Sequence, residues 1–461
     1  MRFQQLARML GGELVTGQNA EKTFTGVSID TRTLKRGELF FALRGERHDG
    51  HDFAAKAVEN GAAGIVVERT FPAMMDFAAR TVVVAVENSH EAMMALAVKY
   101  RDEVKAVYLA ITGSNGKTTT KELTYDLLAA VTTHVYRSPG NFNNLYGLPL
   151  ALFALPSRTR VAVMELGISV PGEMTRLAAI VRPDAVVITN VGPTHLETLG
   201  SVEGVARAKL ELVRASKPGI PVIINSDNEI LVRETKKLRK DFITFGLKEK
   251  ADFMPQAVEA LDGRGTVVKI EGSTFRLPLF GRYQVHNFLA AYAAVRTLGY
   301  DFAKIATEKI LFETAPMRGQ FVEYHGVMFI ADCYNANPES VIAGLKSFAA
   351  QETGRRRVIV LGDMLELGEN EETYHRQIGR RLSEQEFDLA VLVGPRSKYT
   401  LEELLRAGKN TDRVMHFSSA VACAEAMRRI FRKNDLAYIK GSRGMGLEIV
   451  IDTFRDRGEE T

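Results

Sequence analysis

Two hydrophobic rhythms alternate along most of this chain. Short unbroken apolar runs are followed by stretches in which apolar residues return every three or four positions. From residue 107 the runs are VYLAI (107–111), VAVMEL (161–166), AVVITN (185–190), PVIIN (221–225) and DFITFG (241–246). Runs of this length between helical stretches predict βαβ units and a mostly parallel sheet. After about 314 the pattern starts again with VMFIAD (327–332), RVIVLGD (357–363), LAVLVG (389–394) and LAYIKGS (436–442), a second nucleotide-fold-like series. Ahead of both, MRFQQLARML reads as a short amphipathic helix on Phe3, Leu6 and Leu10, and ELFFAL and AAGIVVER read as strands. A helix rich in Ala and Met (89–100) leads into the first series. The expected architecture is α/β in three domains: a small N-terminal α/β domain (1–85), a central P-loop-type parallel-sheet domain (86–313) and a C-terminal Rossmann-like domain (314–461).

Composition narrows the function classes. A chain of 461 residues suggests about three domains at ~150 residues each. The 46% hydrophobic and 25% charged content is that of a globular protein with full cores. A net charge of +4 gives no electrostatic footprint for nucleic acid. Only Cys333 and Cys423 occur, so no disulfide framework or zinc cluster is expected and a reducing cytoplasm fits. The N-terminus lacks a signal peptide's apolar core and no stretch is long enough to span a bilayer, so a cytoplasmic chain without membrane insertion is expected. The basic run RETKKLRKD (233–241) reads as a solvated helix face.

The most informative string is AITGSNGKTTTKE (110–122), where an apolar strand feeds a Gly-rich turn and then helix-forming sequence. In this arrangement backbone N–H groups and the helix N-terminus cradle a phosphate, Lys117 supplies a point charge, and a Thr hydroxyl holds Mg²⁺. The usual loop spaces its glycines more widely; here Gly113 and Gly116 enclose only Ser114 and Asn115. In open parallel sheets ligands sit beyond the carboxyl ends of strands. Two further such ends carry unusual groups: VAVM ends in Glu165, a site carboxylate or a cap for the helix near Pro171, and AVVIT runs into NVGPTHLE with His195, a site residue or a satisfied loop histidine. In SVEGVARAKLELVRAS (201–216) a Ser N-cap opens a helix whose apolar face carries Lys209. A lysine there is either buried with a lowered pKa, hence a neutral amine, or packs its stem while the head snorkels to water. SPGNFNNLYGLPLALF (138–153) is a second loop before a helix, whose Asn141, Asn143 and Asn144 suit either substrate orientation or plain turn chemistry.

Together TGSNGKTTT, PGNFNN, MELG around Glu165, NVGPTHLE with AKLE after it, and Asn287 in GRYQVHNFLAA resemble the Mur ligase family of ATP-dependent amide-forming enzymes. The short glycine spacing is that family's form of phosphate loop. In the third domain DCYNANPES (332–340), LGDMLELG (361–368) and KGSRGMGLE (440–448) look like the branch that joins D-alanyl-D-alanine to a UDP-N-acetylmuramoyl-tripeptide. The D-N-P-R string typical of the sibling adding the third amino acid is absent.

The resemblance implies that ATP phosphorylates the peptide's terminal carboxylate and that the dipeptide amine displaces the phosphate, in cytoplasmic peptidoglycan precursor synthesis. It places ATP on Gly113, Ser114, Asn115, Gly116, Lys117, Thr118 and Thr119, with Lys117 on the β/γ phosphates. It puts one Mg²⁺ on Thr118 and Glu165, and a second on His195 and Lys209, the lysine as a CO₂-derived carbamate. Lys117, Glu165, His195, Lys209 and Asn141 are the catalytic set. Asn287 would contact adenine, Asp332 and Arg318 would reach the nucleotide, and Asn335 and Asn337 would help to place the dipeptide. Asp30, Thr31 and Arg32 in SIDTR match the region that holds UDP. Where relatives often have His-Asn this chain has Tyr283-Gln284, so no adenine role is carried to those two, and Ala331 stands where many relatives have a second acid. A monomer is expected. The alternatives are a sibling ligase adding a single amino acid, a more remote folate-type ligase, and a nucleotide-gated interaction protein that only hydrolyses ATP. The SIDTR and DGHDF strings argue against folate, and an intact Lys117, Glu165, His195 and Lys209 set argues against mere gating.

Overall fold

The computed structural model describes residues 1–15, 21–45, 48–248, 250–261, 265–313, 315–351 and 354–456. The expected third-domain limits, 314 and 461, lie outside these residues. Two compact units form: Met1–Tyr108 with His134–Leu166 and Thr175–Pro183, and Leu109–Thr133 with Gly167–Met174 and Asp184–Thr461.

In the first unit a five-stranded sheet runs in the order Glu13–Leu14, Val82–Val86, Gly64–Glu68, Leu39–Phe41, Val27–Ser28. Its strands are parallel except Glu13–Leu14 at the edge. Phe3 and Leu6, on the N-terminal helix Phe3–Met9, bury against Leu39, Phe41, Val66, Val82 and Val84. Each such side chain contributes roughly 1.5–3 kcal/mol of burial. The helix Ser89–Glu103 begins where Asn88 accepts a hydrogen bond from the Glu91 N–H. The strands Val135–Arg137 and Val161–Glu165 pair in parallel within the same unit.

In the second unit the strands Val107–Thr112 (its residues from Leu109 onward), Ala185–Ile188, Val222–Asn225 and Ile243–Phe245 lie side by side in parallel. An antiparallel sheet of Ala257–Ala260, Thr266–Ile270 and Ser273–Leu277 follows, packed through Phe275 on Phe288 and Tyr292 of the helix Tyr283–Thr297. The last sheet has six strands in the order Gln320–Tyr324, Val327–Ala331, Asp435–Lys440, Arg356–Gly362, Leu389–Val393, Val414–Phe417, parallel except for the first. Side chains alternate across a strand. Val358 and Val360 therefore face a core with Met427, Val450 and Phe454, while Ile359 and Leu361 face one with Val341, Leu345, Ile378 and Leu404. Helices thus cover both faces, as a doubly wound sheet requires. Both cysteines are free and buried. No helix among the described residues is long and apolar enough to cross a membrane.

Candidate active site

The phosphate loop closes as its sequence suggests. Gly116 has φ +79°, in the left-handed region, and the helix Lys117–Val131 starts directly after it. The neighbouring loop 190–194 is stitched to this turn. Ser114 N–H donates to the Asn190 carbonyl (3.0 Å), and Asn115 N–H to Asn190 Oδ1 (2.8 Å). Gly192 N–H donates to Ser114 Oγ (2.9 Å) and Thr189 Oγ1 to the Asn115 carbonyl (2.5 Å). The N–H groups at the helix start are the ones left to meet an anion. Lys117 Nζ lies over the loop, donating to the Gly113 carbonyl at 2.8 Å. Thr118 Oγ1 is buried and makes no hydrogen bond among the described residues, and Thr119 is buried beside it.

Lys209 resolves one alternative left open by its sequence. Ser201 caps the helix Val202–Ala215 by accepting from the Gly204 N–H, and Lys209 is 2% exposed, so it does not snorkel. Burial, and then the nearby Lys117 cation, push its amine well below the ordinary lysine pKa. No carboxylate pairs with it among the described residues. Burial therefore favours the uncharged form of this amine.

His195 has φ +52°, at the start of the short helix Leu196–Leu199. Its Nδ1 is 2.8 Å from Glu366 Oε2, and that contact holds the Glu366 carboxyl below its ordinary range. Glu366, in LGDMLELG, itself has φ +62°. Nothing but its place in that string marked it beforehand.

The first unit positions Glu165. It is 1% exposed at the end of its strand; Asn143 Nδ2 donates to its Oε1 (2.8 Å), and its N–H donates to Ser138 Oγ (3.1 Å). Of the loop asparagines, Asn143 therefore touches the carboxylate. Asn141 is exposed, and Asn144 caps the following turn by accepting from the Tyr146 and Gly147 N–H groups. In SIDTR the Asp30 carboxylate accepts from the Arg32 N–H (2.9 Å) and from its guanidinium (2.6–3.1 Å). The Thr31 carbonyl accepts from Asn60 Nδ2 (2.7 Å).

The third-domain residues and Asn287 fall into two groups. Asn337 Nδ2 donates to Asn115 Oδ1 on the phosphate loop (2.6 Å), while its Oδ1 caps the helix Pro338–Ala349 by accepting from the Ser340 N–H (2.9 Å). Asn335 is exposed. The cap was legible in N-P-E-S, an Asn N-cap with Pro at the first helical position. Asn287 is buried against Gly116 and donates to Gln284 Oε1 (2.6 Å), and Gln284 Nε2 donates to the Arg318 carbonyl (3.2 Å). The Arg318 guanidinium covers the Tyr334 ring at 4.0 Å. Asp332 Oδ2 accepts from Lys440 Nζ (2.9 Å), Tyr438 (3.0 Å) and Tyr283 (3.3 Å). Its Oδ1 makes no hydrogen bond among the described residues. Tyr283 and Gln284, which carried no assigned role, thus link the Asn287 helix to the third domain.

A strand-loop-helix phosphate cradle, a buried lysine whose pKa is lowered, and a third-domain loop docked on the cradle belong to a nucleotide-using ligase. The chain belongs to the Mur ligase family. The Mur ligase family catalytic domain matches residues 23–101, the Mur ligase middle domain 111–295, and the Mur ligase glutamate ligase domain 317–443, giving a three-domain architecture. The chain is 35% identical to the UDP-N-acetylmuramoyl-tripeptide–D-alanyl-D-alanine ligase of Bacillus subtilis, over 97% of both chains. It is 32% identical to the Escherichia coli protein of the same name, over 99% of this chain and 98% of that one. MurF from Acinetobacter baumannii superposes with a TM-score of 0.86 at 28% identity, covering 99% of each chain. MurF ligase from Thermotoga maritima in complex with ADP gives 0.80 at 28% identity, over 94% of this chain and 97% of that one.

Proposed function

We propose that this protein is an ATP-dependent ligase that joins D-alanyl-D-alanine to UDP-N-acetylmuramoyl-tripeptide, a cytoplasmic step of peptidoglycan precursor synthesis. The observation that carries the reading is the Asn337–Asn115 contact, which brings the YNANP loop, the branch-specific motif, onto the phosphate loop. The names of the relatives and the ADP held by one of them support it. The expected domain limits, 1–85, 86–313 and 314–461, are kept as part of the proposal.

The peptide's terminal carboxylate attacks the γ-phosphorus of ATP and ADP leaves. The dipeptide amine then attacks the acyl carbon, phosphate leaves, and the amine proton passes to a base or to water. Such chemistry needs mainly positioning and charge neutralisation. Lys117 and the N–H groups of its helix hold the transferred phosphate. Asn287, Arg318 and the free side of Asp332 take the nucleoside, Asp30, Thr31 and Arg32 the UDP end, and Asn335 the dipeptide, with Asn337 aligning that loop through its helix cap. Asn141 is kept as a contact of the reacting carboxylate.

The residues fit the two Mg²⁺ ions that the family implies. The buried Thr118 hydroxyl, without a hydrogen bond among the described residues, could serve as a ligand, as could the Glu165 carboxylate held by Asn143 and the His195 nitrogen away from Glu366. Lys209, whose pKa is lowered by burial, could take up CO₂ as a carbamate and become an anionic ligand, whereas an ammonium would repel the metal. Bound there, Mg²⁺ would neutralise phosphate charge.

The test is phosphate release from ATP in Mg²⁺ and bicarbonate, with and without each substrate. Release that needs both, with a product heavier by the dipeptide, is expected; release indifferent to D-alanyl-D-alanine sinks the acceptor assignment. In the same assay Asn143→Ala is expected to lose ~10–100-fold in kcat, the worth of one hydrogen bond to a buried carboxylate. A loss under threefold would show that Asn143 does not orient Glu165.

A further inference from the structure

In the third domain the neighbouring parallel strands Val327–Ala331 and Asp435–Lys440 send their chains to opposite faces of the sheet. After the first, the helix Pro338–Ala349 packs through Val341, Leu345 and Phe348 into one core. After the second, the helix Glu448–Arg455 packs through Val450, Ile451 and Phe454 into the other. Where two adjacent connections diverge in this way a crevice opens beyond the strand ends, and open α/β sheets bind ligands there.

The loops flanking this crevice carry an unusual set of charges. Tyr334 comes from the first loop, with the Arg318 guanidinium over its ring at 4.0 Å and that of Arg443, from the second loop, at 5.8 Å. Arg443 Nη1 is 2.7 Å from Glu448 Oε1, and its side chain is 54% exposed. Apart from a 3.5 Å approach to Met317 Sδ, no other hydrogen bond of this guanidinium occurs among the described residues. Glu448 Oε2 is buried and has no hydrogen-bond partner among them. The third cation of the crevice, Lys440, is buried and taken up by Asp332 and the Asn335 carbonyl. An arginine with unused donors, held by a carboxylate that is itself half satisfied, is poised to exchange partners.

We propose that Arg443 reads the free carboxylate of the acceptor, with Glu448 holding the guanidinium until the acceptor arrives. The inference rests on the acceptor assignment made above. D-alanyl-D-alanine presents an amine at one end, which must reach the acyl phosphate, and a carboxylate at the other. A planar guanidinium with a free edge is the group that grips a carboxylate through two N–H donors. Arg443 is a specificity residue and takes no part in bond making.

The experiment compares D-alanyl-D-alanine with its C-terminal amide, which keeps the attacking amine and loses the negative charge. The wild-type protein is expected to favour the acid by on the order of 10²-fold in kcat/KM. Arg443→Ala is expected to raise KM for the dipeptide by a similar factor and to bring the acid-to-amide ratio within about threefold. KM for ATP and for the UDP-tripeptide should stay unchanged, a pattern that general misfolding would not give. Glu448→Gln, which frees the guanidinium, is expected to lower KM for the acid and leave that for the amide alone. It keeps the question decidable if Arg443→Ala folds poorly. An undiminished acid preference in Arg443→Ala, or no preference in the wild type, overturns the proposal while leaving the ligase reading intact. A wild type that makes no product from the dipeptide overturns both.

Discussion

Lys209→Arg is expected to lose at least ~10³-fold in ligase turnover, equivalent to about 4 kcal/mol of transition-state stabilisation. A guanidinium cannot give up its proton in a protein. At a position 2% exposed and close to Lys117 it adds a permanent charge and cannot react with CO₂. Lys209→Met is expected to be as inactive yet better folded. The lysine's pKa is lower in the folded chain than in the unfolded one, so between the two values the unfolded state binds the extra proton. Folding stability therefore rises with pH across that window, and the lysine is a burden at neutral pH. Relative to wild type in bicarbonate-free buffer, Lys209→Met should gain about 1–3 kcal/mol, the usual cost of burying a polar group. The advantage should shrink as the pH approaches the ordinary lysine value. Urea midpoints at pH 7 and 9 measure it. A Met variant less stable than wild type at pH 7 would mean that the amine has a partner in solution.

The second large effect is expected from a single methyl group. Gly116→Ala should weaken ATP binding by at least ~10²-fold and destabilise the protein by ~1–3 kcal/mol, the cost of a strained non-glycine conformation. Its φ of +79° is one that L side chains rarely adopt, and the added Cβ would run into Asn287 Oδ1. The substitution thus damages the phosphate turn and displaces the residue assigned to adenine. Asn287→Ala in the same chain separates the two causes, because it removes the obstacle and leaves the backbone strain. The double variant is expected to regain part of the stability but not nucleotide affinity. Calorimetric titration with ADP and denaturant melts read both. Gly116→Ala with ordinary ADP affinity would disprove the loop's role.

The strands read from apolar runs fall within a few residues of their places, because most are buried on both faces and tolerate little polar interruption; the edge strand Ile243–Phe245 is only half-buried. VAVMEL became Val161–Glu165 and RVIVLGD became Arg356–Gly362. The antiparallel sheet of 257–277 was not foreseen, and its strands show why. Thr266–Ile270 and Ser273–Leu277 each place a charge, Lys269 or Arg276, on an exposed face, and Ala257–Ala260 has no buried residue and carries Glu259, so no long apolar run survives. Among site residues, glycine turns and strand-end acids are local features, and they were legible. What distinguishes Asn143 from Asn141 is which amide reaches Glu165, a matter of loop path. Glu366 meets His195 across a separation of 171 residues in left-handed backbone, and periodicity carries no trace of such a pairing.

The Asn115–Asn337 bond has a thermodynamic corollary. Binding free energies are reciprocal: if nucleotide changes the affinity of the YNANP loop for its ligand by some factor, that ligand changes nucleotide affinity by the same factor. If this bond favours bound nucleotide, a compound that draws Asn337 away from the phosphate turn is expected to loosen ATP without entering its pocket. Ligands of the YNANP loop can then be found by watching a fluorescent nucleotide leave, in an assay that contains neither dipeptide nor cell-wall precursor.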